Sequence, residues 1–184
     1  DSGKRSFYTK DKPILTPDDL QGLKIRVMES QMSMNMVRSL NGSPTPISFG
    51  ELYTALQQGV VDGAENNPPS FYSSRHYEVA KFYSLDEHLM IPDLLIISTL
   101  QWNKLTQEEQ GWIQAAADSS STYQFQVWAE SEKESLAEVE ASGVEIFYPD
   151  KKPFMEMTSS VYEEFKQSDP QFYKLIKRIQ EAGQ

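Results

Sequence analysis

Apolar positions in the first third of the chain recur at two spacings, one typical of short strands and one typical of amphipathic helices. The stretch from Leu23 to Met28 is largely apolar and is bounded by Gly22 and Ser30, which predicts a strand. The stretch from Ser30 to Leu40 then repeats apolar residues at helical spacing, and Asn41-Gly42 ends that predicted helix.

A second helix, strand and loop are predicted between Ser48 and Pro69. Ser48-Phe49-Gly50-Glu51 has the S-x-x-E form of a capping box, and the amphipathic helix that follows ends at Gly59. Val60-Val61 predicts a short strand, Asp62-Gly63 a turn, and Asn66 to Pro69 a polar loop.

The rest of the chain continues the alternation and contains one unusually long helical stretch. Thr106 to Ser142 begins with another capping box and predicts a helix of about 55 Å at roughly 1.5 Å per residue, with a bend or break near Ser119-Ser120-Ser121. The other predicted elements are strands at Ala80 to Leu85, Leu94 to Leu100 and Val144 to Tyr148, and helices at Pro153 to Gln167 and Gln171 to Ala182. This order predicts an α/β fold with a largely parallel sheet, in which the long helix braces two lobes.

Composition and charge narrow the functional classes. The 184 residues carry a formal net charge of −10, which disfavours nucleic acid and anionic lipid as partners. There is no cysteine, so disulfides, thiolate metal sites and a cysteine nucleophile are excluded. No cofactor-binding motif is present, and no cofactor is expected. Lys4 and Arg5 lie near the start of the sequence, where disorder is the default expectation.

Arg26 is the strongest single candidate for a binding residue. It lies near the carboxyl end of its predicted strand, and open α/β sheets bind ligands outside that end. A guanidinium there can hold a carboxylate through two parallel hydrogen bonds. The alternative is a surface arginine paired with an acidic side chain.

Other residues are weaker candidates. Asn66 offers an amide donor and acceptor to a polyoxygenated ligand, although a loop-stabilising role is the more common one for such a residue. Asp62 and Glu65 could form an acid–base pair, but no nucleophile lies nearby in the sequence. His76 and His88 are twelve residues apart without metal-ligand spacing, so both are expected on the surface.

The string G-L-K-I-R-V, followed by S-P-T-P-I-S-F-G-E-L-Y-T-A-L-Q-Q-G-V-V-D-G-A-E-N-N-P, resembles the DctP-like solute-binding proteins of tripartite ATP-independent periplasmic (TRAP) transporters. The resemblance extends from Gly22 through the closing helices. Two positions depart from the family pattern: Met28 stands for the usual proline after R-V, and Ala64 for the glutamine of Q-E-N-P. These departures leave the arginine and the asparagine in place.

The resemblance implies four ligand-binding residues. The arginine that binds the ligand carboxylate falls on Arg26, and the asparagine of the family motif falls on Asn66. The aromatic residue before the E-L-Y helix falls on Phe49, and a second, upstream arginine matches Arg5 with one residue of length difference.

The resemblance also implies an architecture. The family has two α/β lobes that close on the ligand, and this chain resembles the C-terminal portion, without the first half of the N-terminal lobe. Residues 1–90 and 144–184 would form the C-terminal ligand-binding lobe. Residues 91–143 would cross toward the missing lobe as a strand and the long inter-lobe helix. The unpartnered edges of Leu94 to Leu100 then predict a dimer or swapped assembly of this chain.

The expected function is capture of an organic acid anion, a C4-dicarboxylate or a sugar acid such as a hexuronate, for delivery to the TRAP membrane permease subunits. The expected location is the periplasm, or the outer surface of a Gram-positive host through a membrane anchor, and no catalysis is expected. Two alternatives stay open: an enzyme acting on an acid substrate through Asp62, Glu65 or His76, and a non-catalytic interaction module built around the long helix.

Overall fold

The computed structural model describes residues 2–182, and within that range six strands form one sheet in the order β3–β2–β4–β1–β5–β6. Strands β2 and β4 run parallel to each other, as do β2 and β3, and β5 and β6, whereas β1 is antiparallel to both of its neighbours. The predicted α/β fold with a largely parallel sheet is confirmed. The strands are β1 (Lys4–Thr9), β2 (Lys24–Val27), β3 (Ser43–Pro46), β4 (Gly63–Asn66), β5 (Phe82–Met90) and β6 (Glu145–Phe147).

Helices connect the strands and close the chain, and three short 3₁₀ turns accompany them. The turns are Pro17–Leu20, Phe49–Glu51 and His76–Glu78. The helices are α1 (Gln31–Ser39), α2 (Leu52–Gln58), α3 (Pro68–Ser73), α4 (Thr99–Trp102), α5 (Gln107–Ala141), α6 (Lys152–Glu163), α7 (Phe165–Ser168) and α8 (Pro170–Ala182).

Strand β1 lies in the interior of the sheet, so the expectation of disorder at Lys4 and Arg5 was wrong. The strand is hydrogen-bonded to β4 on one side and to β5 on the other, and every residue from Arg5 to Thr9 is buried. Because successive side chains of a strand point to opposite faces, Phe7 and Tyr8 enter two different cores. The core around Phe7 contains Ile25 and Val27, and the core around Tyr8 contains Phe71 and Tyr83.

Strand β4 begins later than the sequence predicts. Val60 and Val61 do not form a strand, because Gly59 adopts a left-handed conformation (φ 73°) and both following amides bond back to the Ala55 carbonyl. Gly63 lies in the strand rather than in a turn. A Cβ at Gly63 would lie 2.5 Å from the carbonyl oxygen of Tyr8, so glycine is needed for β1 and β4 to approach.

The polar segment after β4 also differs from the prediction of a loop. Asn66 is the last residue of β4, and Asn67 caps α3 by accepting a hydrogen bond from the Ser70 amide at 2.8 Å. At the start of α2 the Ser48 hydroxyl donates to the Glu51 carboxylate at 2.7 Å, so the predicted capping box is not formed. The chain instead enters α2 through the 3₁₀ turn Phe49–Glu51.

Helix α5 is continuous over 35 residues, so the predicted bend or break near Ser119 is absent. Its capping box between Thr106 and Glu109 is formed as predicted. At about 1.5 Å per residue the helix is about 50 Å long. Only Ser135 and Val139 of this helix are buried. The rest of the described chain therefore packs mainly against the C-terminal third of α5.

The predicted strand from Leu94 to Leu100 was wrong. Residues 91–98 have no regular secondary structure, and α4 begins at Thr99. An apolar, partly β-branched run becomes a strand only when another strand satisfies its backbone groups, and residues 2–182 provide none here. Leu94, Leu95 and Ile96 are therefore 78, 74 and 83% exposed.

Candidate functional site

Arg26 occupies the penultimate position of β2, between β3 and β4, and is only 3% exposed. Its Nε donates to the carbonyl oxygen of Ile47 at 2.8 Å. No carboxylate of residues 2–182 forms an ion pair with it. Burial lowers the pKa of Arg26 below its ordinary value, but a guanidinium stays protonated in proteins. Arg26 is thus a buried cation without a counter-ion in the described chain, which favours an anion beside it.

Phe49 forms one side of the surroundings of Arg26. The centre of its ring lies 5.7 Å from Cζ of Arg26, close enough for a cation–π contact. The same ring meets His76 in a T-shaped contact, with ring centres 5.5 Å apart. Phe49 nevertheless remains 47% exposed, so it presents an apolar surface next to the cation.

Asn66 lies on the same face of the sheet as Arg26. Arg26 is in register with Ala64 on β4, and Asn66 is two residues further along that strand. Its Oδ1 accepts hydrogen bonds from Nη1 of Arg5 at 2.8 Å and from the amide of Asn67 at 2.9 Å. Since both donors require an oxygen at that position, the Nδ2 group is the part of the amide left for a ligand oxygen.

Arg5 stands behind Asn66 and is held by Glu65. Its Nε and Nη2 bind the two carboxylate oxygens of Glu65, and Nη2 also donates to the Glu65 carbonyl at 2.9 Å. Burial works against the charge on Arg5, but the bonds to Glu65 raise the pKa of Arg5 above its ordinary value. With Nη1 bonded to Asn66, most of its five donors are used. The structure therefore gives Arg5 a clear role in orienting Asn66, and direct contact of Arg5 with a ligand stays a prediction.

His88 belongs to a buried charge cluster with Arg5, Glu65 and Asp86. The prediction that His88 lies on the surface was therefore wrong. Its side chain is 1% exposed, with Nδ1 2.6 Å from Asp86 Oδ2 and Nε2 3.8 Å from Glu65 Oε2. Burial alone would lower the pKa of His88, but the charges of Asp86 and Glu65 raise it to about 9. Burial alone would raise the pKa of Glu65, but its contacts with His88 and Arg5 lower it.

Buried tyrosines and a second buried histidine lie beneath the site. The hydroxyl of Tyr83 donates to the Asn66 carbonyl at 2.8 Å, and the hydroxyl of Tyr8 lies 2.8 Å from Nδ1 of His76. His76 is 1% exposed, so its predicted surface location was also wrong. Burial, assisted by the charge of Arg26, lowers the pKa of His76 to about 4. The run Phe7-Tyr8-Thr9, of residue types enriched in strands, could have indicated β1. No sequence signal marked His76 or His88.

The candidate acid–base pair is not assembled. Glu65 is fully buried and ionically paired with Arg5, while Asp62 precedes β4 and its carboxylate accepts from the Lys24 amide at 2.7 Å. Asp62 and Asn66 therefore lie toward opposite ends of β4. Among residues 2–182 no group of three or more histidine, aspartate or glutamate side chains is arranged to hold a metal ion. No helix of those residues combines the length and hydrophobicity needed to cross a membrane.

Three of the residues to which the resemblance assigned ligand binding are thus a buried arginine without a counter-ion among residues 2–182, an oriented asparagine amide and a half-exposed phenylalanine. The profile of DctP, the bacterial extracellular solute-binding protein family 7, matches residues 1–169. The chain belongs to this family. Its relatives in this family are solute-binding proteins rather than enzymes, which agrees with the unassembled acid–base pair.

Similar solute-binding proteins illustrate the family. A solute-binding protein of Chromohalobacter salexigens is 40% identical over 182 residues, covering 98% of this chain and 54% of that protein. A TRAP periplasmic solute-binding protein of the same organism, solved with D-glucuronate, superimposes with a TM-score of 0.95 at 40% identity, covering 98% of this chain and 60% of the other. A protein of a Sulfitobacter species, solved with β-D-galacturonate, has a TM-score of 0.91 at 43% identity, covering 96% and 59%.

This DctP-family chain spans about half the length of the curated relatives it matches, and about three-fifths of the solved ones. The covered part includes β2, β4 and the 3₁₀ turn with Phe49, which carry the three candidate ligand groups. The candidate site therefore lies on a chain that matches only part of each relative.

Proposed function

We propose that this chain is the ligand-binding C-terminal portion of a TRAP solute-binding protein that captures a hexuronate for uptake. The observation that carries the proposal is the buried Arg26, which has no counter-ion among residues 2–182 and shares a face of the sheet with the Nδ2 group of Asn66. Its support comes from the relatives solved with D-glucuronate and β-D-galacturonate.

Each candidate residue has a distinct role in this proposal. Arg26 neutralises the ligand carboxylate, because a buried guanidinium gains most from an anion that replaces its lost hydration. Asn66 donates from Nδ2 to a ligand oxygen. Phe49 covers the apolar C–H face of the sugar ring. Arg5 keeps the Asn66 amide in its orientation, and the remaining hydrogen of its Nη1 group donates to a ligand oxygen.

A hexuronate fits this surface better than a C4-dicarboxylate does. A linear dicarboxylate has two charged ends and little apolar surface, whereas a pyranose ring presents a C–H face to an aromatic side chain. Phe49 leaves 47% of its surface exposed beside Arg26, which provides such a partner. The proposal therefore names a sugar acid as the ligand.

The proposed domain arrangement follows from what the described chain leaves uncovered. Residues 1–90 and 144–184 form the ligand-binding lobe, and residues 91–143 extend toward a second lobe. In support, Leu94–Leu95–Ile96 is largely exposed, and α5 buries only Ser135 and Val139. Closure of the second lobe over Arg26 would exclude water and strengthen the ion pair.

The remaining partners follow from the proposed role. The family is an extracellular one, and we place the protein in the periplasm, or anchored outside a Gram-positive membrane, where it delivers its ligand to the TRAP permease subunits. When this chain is produced alone, its exposed apolar segment pairs with a second copy as a dimer or swapped assembly.

Calorimetry tests the proposal in the protein that carries both lobes. D-glucuronate and D-galacturonate should bind, and Arg26→Ala should weaken binding by about 2–5 kcal/mol, because the buried anion loses its partner. Arg38→Ala is the matched control, since Arg38 is an exposed arginine of α1. Hexuronate affinity that is unchanged in Arg26→Ala would rule out the assigned site.

A further inference from the structure

His76 connects a buried tyrosine to the half-exposed wall of the candidate site. Its Nδ1 lies 2.8 Å from the hydroxyl of Tyr8, and its ring meets Phe49 edge-on at 67° with centres 5.5 Å apart. Phe49 in turn lies against Arg26. A contiguous chain of contacts therefore runs from β1 through His76 to the ligand-facing surface.

The hydrogen bond fixes the orientation of the imidazole, because it ties Nδ1 of His76 to the Tyr8 hydroxyl. Burial raises the pKa of Tyr8, so the hydroxyl stays protonated and the bond joins two neutral groups. Burial and the charge of Arg26 also lower the pKa of His76 to about 4, so the ring is neutral at physiological pH.

Tyr8 is itself held rigidly. It is fully buried, and its ring packs against Phe71 and Tyr83 with centres 4.6 and 6.1 Å apart. By contrast, Phe49 is half-exposed and lies in a short 3₁₀ turn that buries none of its residues. The rigid end of this contact chain is thus Tyr8, and the end that needs support is Phe49.

We propose that His76 is a positioning residue for ligand capture: it holds the ring of Phe49 against Arg26 and so shapes the surface on which the sugar ring rests. The inference rests on the proposed function, since it concerns the affinity of the same site. His76 touches no ligand in this arrangement and acts through Phe49 alone.

A double-mutant cycle between positions 49 and 76 tests this role, with D-glucuronate affinity measured by calorimetry in the two-lobed protein. Aromatic pairs contribute enough that His76→Ala should weaken binding about three- to tenfold. In a Phe49→Ala background the same change should have no further effect, because the residue it acts through is gone. A purely structural role would not produce that dependence on Phe49.

A double substitution at positions 8 and 76 and a control substitution at position 77 test whether the ring at position 76 is what matters. Tyr8→Phe with His76→Phe keeps a ring against Phe49 and removes both polar partners together, so affinity should stay within about threefold of the parent. Tyr77→Phe should bind as the parent does, because Tyr77 lies in the same turn as His76 but stacks on Tyr72 of α3 rather than on Phe49. Should His76→Ala not fold, His76→Asn keeps an acceptor for Tyr8, removes the ring and enters the same cycle.

The outcomes separate this inference from the function on which it rests. The role of His76 is overturned if the affinity losses of Phe49→Ala and His76→Ala multiply in the double variant. It is also overturned if a folded His76→Ala variant binds with parental affinity. Either result leaves the site assignment intact. A parent protein that binds no hexuronate, or an Arg26→Ala variant that still binds one, overturns the proposed function itself and the role of His76 with it.

Discussion

Arg5 donates from Nη1 to Oδ1 of Asn66 at 2.8 Å, and this bond orients the amide that faces the candidate anion site. The same guanidinium holds the buried carboxylate of Glu65, so the charge of Arg5 is compensated. Arg26, a short way across the sheet, has no such partner among residues 2–182. The two buried arginines therefore differ in what they do: Arg5 maintains the site, and Arg26 is left to attract an anion.

Arg5→Met should destabilise the chain by about 3–5 kcal/mol, because it leaves the Glu65 carboxylate buried without its main partner. Arg26→Met should change the free energy of unfolding by less than about 1 kcal/mol, since the lost bond to Ile47 is offset by removal of an uncompensated buried charge. Urea denaturation followed by circular dichroism measures both. Equal destabilisation by the two variants would contradict the division of roles.

The free energy of unfolding should be highest near pH 6.5 and fall on both sides. His88 has a folded pKa of about 9, above its ordinary 6.5, so its contribution is complete below pH 6.5 and is lost as pH rises through 9. His76 has a folded pKa of about 4, so stability is lost as pH falls from 6.5 toward 4. Each effect is at most about 3 kcal/mol.

Denaturation curves recorded between pH 4 and 9.5 test this pH profile. Two variants show which histidine causes the loss of stability on each side of the maximum. His88→Gln should flatten the alkaline side, where the charges of Asp86 and Glu65 hold the imidazolium. His76→Gln should flatten the acid side down to pH 4, below which lowered carboxyl pKa values such as that of Glu65 take over. A stability that is constant from pH 6.5 to 9 in the parent would refute the assignment for His88.

Gly63→Ala should destabilise the chain by several kcal/mol, on the order of other severe backbone clashes. The added Cβ would lie 2.5 Å from the Tyr8 carbonyl oxygen and push β4 away from β1. Gly111→Ala is the matched control, because it lies inside α5 with no atom within 4 Å of the added Cβ. It should stabilise the chain by up to about 1 kcal/mol through helix propensity. Thermal melts compare the two.

Self-association of this chain should depend on the exposed segment before α4. Leu95→Asp combined with Ile96→Asp places two charges where an apolar partner would pack, and should convert the predicted dimer to a monomer. Val60→Asp serves as the control, since Val60 is 49% exposed but lies in a different part of the chain. Light scattering measures the mass, and a parent chain that is already monomeric at high concentration would show that the segment does not associate.

Elements with a strong local signal were predicted well from the sequence. The strand Lys24–Val27, the helix Gln31–Ser39 and the long helix with its Thr106 capping box follow from periodicity and terminal residues that act over one or two turns. The location of Arg26 near the carboxyl end of β2 followed in the same way. Local chemistry determines such features, so neighbouring residues suffice to predict them.

Where the prediction failed, the deciding partner was distant in sequence. Leu94 to Leu100 has the composition of a strand but no partner in the described chain, so it stays irregular. Arg5 looked like part of a disordered terminus because its partners, Glu65 and Asn66, lie 60 and 61 residues away. His76 is hydrogen-bonded to Tyr8 of β1, and His88 stacks on Phe7 of β1 and lies near Glu65 of β4.

The sequence by itself determined the fold class, the family and the candidate anion-binding arginine, because each depends on residue types at short spacings. Only the tertiary structure decided that Arg26 has no counter-ion among residues 2–182 while Arg5 is compensated. Charge compensation is a matter of distance in space, and the sheet brings Arg5 to Glu65 by placing β1 against β4. The same pairing aligns Asn66, and through Tyr8 and His76 it reaches Phe49.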